Sequence, residues 1–319
     1  MGLVSAVART IFPDWISEEL SAAHAKRRSE KISSIDSSEY PTFVKKRFSE
    51  VLGRELDLEC PRTFNEKIQW LKLFGSTPEK GRLADKYLVR SYVAERIGEE
   101  HLVPLIGVWD DPEEIDFDAL PNRFVLKATH GSGWNIIVQD KRRINIRHIR
   151  RLLRIWLKTD YCYLGFELHY HFCEPRIIAE EYMENLSPSG DEDLFDYKFW
   201  CFGGRCEFIQ FFEGRNRGVH TAIFNRNWER QPFSYDRPCV NRDVPKPDNL
   251  EEMINYAERL AGNFAHVRVD FYRLDDGSIV FGEMTFAHHN GLCIWNPPET
   301  DIMLGNYIKL PEKKILFEV

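Results

Sequence analysis

Two short apolar runs, Phe124-Val125-Leu126-Lys127 and Asn135-Ile136-Ile137-Val138, flank the loop His130-Gly131-Ser132-Gly133-Trp134. Runs of strand length on either side of a glycine-bearing turn make a β-hairpin. The two glycines permit close backbone approach and unusual dihedrals. Such a loop can point its N–H groups at phosphate oxygens. Lys127 ends the first run and adds a point charge at the same place. An ordinary hairpin with a surface lysine is the competing reading, and the rest of the chain must decide between them.

Two further hairpins follow. Residues 197–202, Gly203-Gly204 and residues 206–212 form one, with Lys198 on its first strand. Residues 267–272, Asp275-Asp276-Gly277 and residues 279–286 form the other. Arg268 and Asp270 are two apart and share a strand face. A turn centred on Asp276-Gly277 sets Asp270 nearly opposite Glu283. The expectation is two unpaired carboxylates on an apolar sheet face, which repel unless a cation bridges them. Mg²⁺ held by one or two carboxylates plus phosphates meets that need. Two surface carboxylates are the alternative.

Helical patterns fill much of the remainder. Residues 18–28 and 43–52 read as helices, the second ended by Gly53. Thr63 and Glu66 have capping-box spacing and open a helix to Phe74, followed by Gly75. Residues 83–97 read as one continuous helix closed by Gly98, with Lys86 near its start as a surface lysine by default. Residues 145–158 pair an apolar stripe (Ile149, Leu152, Leu153, Trp156) with a basic face of Arg147, Arg150, Arg151, Arg154 and Lys158. That face is either a solvated lid surface or a contact for a polyanion. Asp248 and Glu251 repeat the capping-box spacing ahead of a helix to Leu260. Residues 102–108 and 177–183 read as strands.

Composition narrows the function classes. The chain has 319 residues, 43% hydrophobic and 29% charged, which suits well-filled cores. A net charge of -7 leans against a nucleic-acid partner. The seven cysteines are odd in number and no two have CxxC spacing, so neither a zinc site nor a disulfide framework is expected. They suit a cytoplasmic protein with reduced thiols. No transmembrane run or signal peptide is evident. The first fifteen residues are mildly amphipathic, for packing or for peripheral contact with a membrane or partner. Arg215 and Arg217, in a polar loop before His220, can hold a carboxylate or phosphate in forked contacts, or simply be solvated.

Several stretches carry a resemblance. They are Thr63-Phe64-Asn65-Glu66-Lys67-Ile68-Gln69-Trp70, Ala84-Asp85-Lys86-Tyr87-Leu88-Val89-Arg90, residues 120–135, Asp196-Tyr197-Lys198, Arg268-Val269-Asp270-Phe271-Tyr272 and Gly282-Glu283-Met284-Thr285-Phe286. In order and spacing, over roughly residues 45–310, they resemble the TupA-like branch of the ATP-grasp superfamily. The resemblance implies a mixed α+β and α/β fold. An N-terminal helical extension (1–44) and an α/β region (45–110) would precede a small lid (111–184) and a C-terminal mixed antiparallel-sheet domain (185–319), with ATP between the last two.

The resemblance also implies roles. Lys86 and Lys127 would contact phosphates, and His130, Gly131, Ser132 and Gly133 would form the mobile loop above them. Glu180, Glu181, Tyr182 and Met183 would meet adenine, Glu184 the ribose, and Lys198 the nucleotide pocket. Arg268 would face the transferred phosphate. Asp270 and Glu283 would hold Mg²⁺, or Mn²⁺ in its place. Thr285 stands where many ATP-grasp enzymes have Asn, and its hydroxyl can still ligate a hard cation. Residues 287–291 are assigned to the acceptor side. Arg215, Arg217 and His220 are added as candidate catalytic groups, with His288 a second candidate base.

The implied activity is an ATP-dependent carboxylate–amine ligase working through an acyl phosphate. It would join an amino acid or peptide to a sugar acid or a cell-surface or natural-product precursor. A kinase of a small molecule or glycan, or a non-catalytic nucleotide-binding protein, are the alternatives. Contact with surface-polymer machinery and a homodimer are compatible with the family.

Overall fold

The computed structural model describes residues 14–183, 195–214 and 218–313. The helical start comprises α1 (Asp14–Ser33), α2 (Tyr40–Leu52), α3 (Phe64–Phe74), α4 (Pro78–Ala84) and α5 (Val89–Ile97). Strands β1 (Leu105–Trp109), β2 (Phe124–Ala128) and β3 (Asn135–Val138) follow, then α6 (Ile146–Leu157), α7 (Cys162–Gly165) and β4 (Ile177–Glu181). The last part holds β5 (Phe195–Phe202), β6 (Arg205–Glu213), β7 (His220–Asn225), β8 (Ser234–Tyr235), α8 (Leu250–Ala261), β9 (Val267–Arg273), β10 (Ile279–Thr285), β11 (Trp295–Asn296) and α9 (Thr300–Gly305).

Two antiparallel sheets organise these elements. The smaller has the order β1-β4-β2-β3, the larger β10-β9-β5-β6-β7. In β2 the alternation is plain: Phe124, Leu126 and Ala128 are buried, whereas Val125 and Lys127 are half-buried on the other face. Ile149, Leu152, Leu153 and Trp156 of α6 cover the buried face. The larger sheet is buried on both sides. Phe199, Val269 and Phe271 pack with Leu250, Met253 and Ala257 of α8 and with Val93 of α5. Trp200, Phe202 and Phe208 pack on the other side with Phe64 and Ile68 of α3. Burial on both faces explains why β5 is apolar nearly throughout and not alternating.

All three expected hairpins form, and the Thr63 capping box closes: Thr63 Oγ1 accepts from Glu66 N–H at 3.3 Å and Glu66 Oε2 from Thr63 N–H at 3.0 Å. Two expectations fail. The helix over 83–97 is broken, because Asp85 adopts an extended conformation (φ -70°, ψ 121°). Its Oδ1 accepts from the N–H groups of Tyr87 (2.8 Å) and Leu88 (3.0 Å), and Lys86 N–H donates to Thr129 O. Asp favours such local bonds over helix interiors. The second capping box does not form either. The helix starts at Leu250, and Asn249 ahead of it instead donates to Gly277 O (2.8 Å) and accepts from Arg273 Nε (3.0 Å). The basic face of α6 is largely exposed, with Arg147, Arg151, Arg154 and Lys158 at the surface, and part of it is neutralised: Arg151 and His148 pair with Glu19 of α1, and Arg150 and Arg154 with Glu113. Burying the apolar stripe of α6 beside α1 brings its cations against those carboxylates.

Five of the seven cysteines are buried, and all are free thiols. Among the described residues no helix is long and apolar enough to cross a membrane.

Candidate functional site

A cleft opens where the two sheets face each other, lined by Lys127, Glu180, Ser132 and Gly133 on one side and Lys198, Asp270 and Glu283 on the other. Lys86 and Arg90 close one end, and Leu102, Val103, Tyr272 and Phe281 supply apolar lining.

The small-sheet wall is built by register. Lys127 sits opposite Ile178, and Glu180 opposite Val125, so lysine and glutamate are diagonal neighbours on one face. Lys127 Nζ lies 2.5 Å from Glu180 Oε2, and Arg90 is 3.0 Å from Glu180 Oε1. Arg90 also donates to Val103 O at 2.8 Å. Burial works most strongly against the Lys127 charge, but Glu180, Tyr272 and Glu283 together outweigh it, and the net pKa shift is upward. Lys86 reaches the glycine loop itself, donating to the carbonyls of Ala128 and Gly131. Burial lowers its pKa, with Glu283 opposing. The break at Asp85 makes this contact, which a surface lysine on a continuous helix would not make.

On the large-sheet wall, Asp270 is opposite both Lys198 and Glu283, and Arg268 is opposite Thr285. A bulge at Gly282 shifts both β10 pairings by one residue. The expectation of two unpaired carboxylates is corrected here. Arg268 forks onto Asp270 with two bonds of 2.7 Å and reaches Glu283 Oε1 at 2.8 Å. Lys198 Nζ is 2.5 Å from Asp270 and 2.9 Å from Asp196. Strand alternation that puts Arg268 beside Asp270 also supplies its counter-ion. Burial opposes the Glu283 charge, yet Arg268, Lys198 and Lys86 hold its pKa below the ordinary value. Thr285 Oγ1 donates to Glu283 Oε1 at 3.1 Å.

These groups fit a magnesium-bound polyphosphate. The oxygens of Asp270, Glu283 and Thr285 are hard donors. The Glu283 side chain is 39% exposed, and its Oε2 accepts no hydrogen bond among the described residues, so it is the more available ligand. Opposite stand three cations suited to phosphate oxygens.

Other expected residues fall elsewhere. His130 is 3% exposed and turned into the core, with Nε2 3.0 Å from Trp156 O and its ring edge-on to Trp134. Burial depresses its pKa to about 4, so it is neutral at physiological pH. Gly131 lies against Tyr161, whose ring carbon is 2.7 Å from where a Cβ would stand. Of residues 180–183 only Glu180 lines the cleft. The Glu181 N–H is committed to Pro104 O, and the Tyr182 ring covers the Arg123 guanidinium at 4.2 Å. Met183 is half-buried outside the lining. His220 is exposed on the edge strand β7, its Nδ1 3.0 Å from Gly218 O. His288 is buried, bonded to the Tyr235 hydroxyl at 2.9 Å. Glu184, Arg215 and Arg217 lie outside the described residues. Sequence reasoning missed Arg90, although it closes the quoted stretch 84–90, because its direction depends on the helix break.

A family model described as TupA-like ATPgrasp matches residues 66–309. No curated protein matches the chain. Among solved structures, the ATP-grasp ligase PsnB complexed with minimal precursor is 12% identical, with 67% of this chain and 56% of that one covered and a TM-score of 0.37. N5-carboxyaminoimidazole synthetase from Staphylococcus aureus is 13% identical, with coverages of 74% and 54% and a TM-score of 0.37. D-alanine–D-alanine ligase from Bacillus anthracis is 19% identical, with coverages of 65% and 57% and a TM-score of 0.38. The chain thus spans between 54 and 57% of the length of these three structures. With the family model covering well over half of the sequence, this chain belongs to the TupA-like ATP-grasp family.

Proposed function

We propose that the cleft binds Mg·ATP and that the chain is a carboxylate–amine ligase. The observation that carries the reading is the opposition of two walls, with Lys86, Arg90 and Lys127 facing the carboxylates Asp270 and Glu283. A triphosphate needs cations and a divalent ion needs hard oxygens, and this cleft offers each on its own side. In this reading a substrate carboxylate oxygen bonds to the γ-phosphorus and ADP leaves. An amine nitrogen then bonds to the acyl carbon, phosphate leaves and the amine proton is released.

The chain's own residues have distinct tasks here. Lys86 and Lys127 neutralise charge on the phosphoryl oxygens, which is where most of the rate of phosphoryl transfer originates. Arg268, held by Asp270 and Glu283, presents a fixed guanidinium beside them. Magnesium, when bound by Glu283, Asp270 and Thr285, would supply Lewis-acid stabilisation of the leaving ADP. The region 111–184 would close over 185–319 and keep water from the acyl phosphate. A sugar acid or surface-polymer precursor as the carboxylate, and an amino acid as the amine, follow from the family alone.

The test incubates the protein with Mg·ATP, pooled amino acids and candidate sugar acids, and measures ADP, AMP and phosphate. ADP and phosphate that require both pools, and that vanish in Lys127→Ala and Glu283→Ala, are expected. ADP with a phosphorylated product and no free phosphate makes the protein a kinase. AMP with pyrophosphate overturns the acyl-phosphate route.

A further inference from the structure

Beside the cleft, a second cluster of polar groups is held together by three segments: α3, the turn at 288–291 and the stretch 161–172. Lys72 of α3 is 3% exposed. Its ammonium donates to Gln69 Oε1 (2.7 Å), to Asn290 O (3.2 Å) and to Asn290 Oδ1. Gln69 Nε2 adds bonds of 2.9 Å to the carbonyls of Asn290 and Gly291. These contacts hold His289 and Asn290 at φ 45° and 58°, two consecutive non-glycine residues in the left-handed region. Such strain persists only where the surroundings enforce it, and it gathers at functional sites.

The result is an oriented side chain. Asn290 Oδ1 is taken by Lys72, which turns the amide nitrogen the other way, toward Gly165. A Cβ on Gly165 would sit 2.4 Å from Asn290 Nδ2 and 3.1 Å from Glu167 Oε1, so both polar groups converge on the space a glycine leaves. Glu167 is 8% exposed, and its carboxylate accepts no hydrogen bond and forms no ion pair within 4 Å among the described residues. Asn290 Nδ2 likewise donates to nothing among them. Burial raises the Glu167 pKa, Lys72 opposes, and Glu283 raises it further. The carboxylate therefore lies within electrostatic reach of the cleft's carboxylate wall. Tyr161 and Tyr170, with ring centroids 4.9 Å apart, border the same corner, and the Tyr161 ring lies against Gly131 of the glycine loop.

Among the described residues both groups lack a protein partner yet keep solvent contact at an otherwise buried corner, so an entering ligand can replace water on them. We propose that this corner is the acceptor subsite, in which Glu167 receives the primary ammonium of the amine substrate and Asn290 donates to a neighbouring oxygen of the same molecule. The assignment deepens the ligase reading and rests on it: the subsite carboxylate is close enough to the cleft for Glu283 to act on it. Lys72 is a positioning residue that orients Asn290. The substrate class is a primary amine with a carbonyl or hydroxyl oxygen close to the nitrogen, as in an amino acid or an amino sugar.

The test is saturation-transfer NMR on the full chain, with and without Mg·ADP. The probes are L-amino-acid amides and glucosamine, each beside its N-acetylated counterpart. Free-amine probes are expected to bind and their acetylated partners not. Glu167→Gln should weaken the best amine at least tenfold while leaving Mg·ADP affinity within twofold. Wild-type protein that binds no amine, binds acetylated probes equally well, or keeps its amine affinity in Glu167→Gln overturns the proposal. Loss of Mg²⁺ affinity in that variant overturns it in favour of a second metal position. Should Glu167→Gln not fold, Glu167→Asp withdraws the carboxylate by one methylene, and an undiminished amine affinity there is equally fatal. A protein that fails to bind Mg·ADP while binding amines through Glu167 refutes the ligase reading and not the subsite.

Discussion

The two walls of the cleft are made by the same device and end with opposite charge. On the small sheet a single carboxylate, Glu180, serves Lys127 and Arg90, with Lys86 beside them, so cations are in excess. On the large sheet Arg268 and Lys198 serve three carboxylates, Asp196, Asp270 and Glu283, so anions are in excess. In both, adjacent antiparallel strands place ionisable side chains opposite or diagonal to one another on one face. The difference is in availability. Asp270 is locked on both oxygens, whereas Lys127 has one partner and is 22% exposed. The large sheet thus holds a rigid cluster in which Glu283 is the more open ligand, and the small sheet holds cations placed to exchange a carboxylate for phosphate.

The strongest way to break this contrast is Arg268→Ala. It leaves Asp270 and Glu283 facing each other, with only Lys198 between the pair and neutrality. Removing one partner of a buried ion cluster costs about 3 kcal/mol or more, so a lowered urea midpoint is expected. ADP release should fall about a thousandfold, since a preorganised donor at a phosphoryl centre is worth that much. Arg268→Lys keeps the charge and loses the fork, and should recover stability before it recovers activity. Unchanged stability in Arg268→Ala would show that the cluster is not locked as described.

Lys127→Met acts on the other wall. Glu180 keeps Arg90 as its partner, so folding should hold while Mg·ATP affinity drops by roughly ten- to a hundredfold, the worth of one charge-assisted contact. Calorimetric titration with ATP decides it. Equal affinity would mean that Lys127 stays with Glu180 and never meets phosphate.

A smaller effect separates the two lysines by pH. Burial lowers the Lys86 pKa, whereas Glu180 raises that of Lys127. As pH rises, Lys86 loses its proton first and the cation excess shrinks. Nucleotide affinity should therefore decline on the alkaline side through the lowered Lys86 pKa, by severalfold, while Lys127 remains charged. In Lys86→Met that limb should flatten, and a limb that survives assigns the titration elsewhere.

Much of the site was legible because period-2 geometry is local. Once the Asp276-Gly277 turn is placed, Asp270 falls near Glu283, the bulge at Gly282 brings the two directly opposite, and alternation puts Arg268 on the same face. The glycine loop was legible for the same reason, since its two apolar flanks can pair only as a hairpin. What could not be read were orientations that depend on distant partners. His130 looked like a loop group for phosphate, but Trp134 and the Trp156 carbonyl draw it into the core beneath α6. The Lys198 contact to Asp270 could not be read because Lys198 arrives from a strand more than seventy residues away, whereas the Arg268 partner was present in the shared strand face.

The sequence alone determined the hairpins, the capped α3, the family and which side chains share a strand face, because these follow from spacing and backbone propensity. Only the tertiary structure decided that the chain after Asp85 lays Lys86 on the glycine loop, and that Glu167 and Asn290 meet across Gly165. Both depend on contacts between segments 45 to 125 residues apart. Local propensity carries no term for such contacts. They are set by which faces must be buried together.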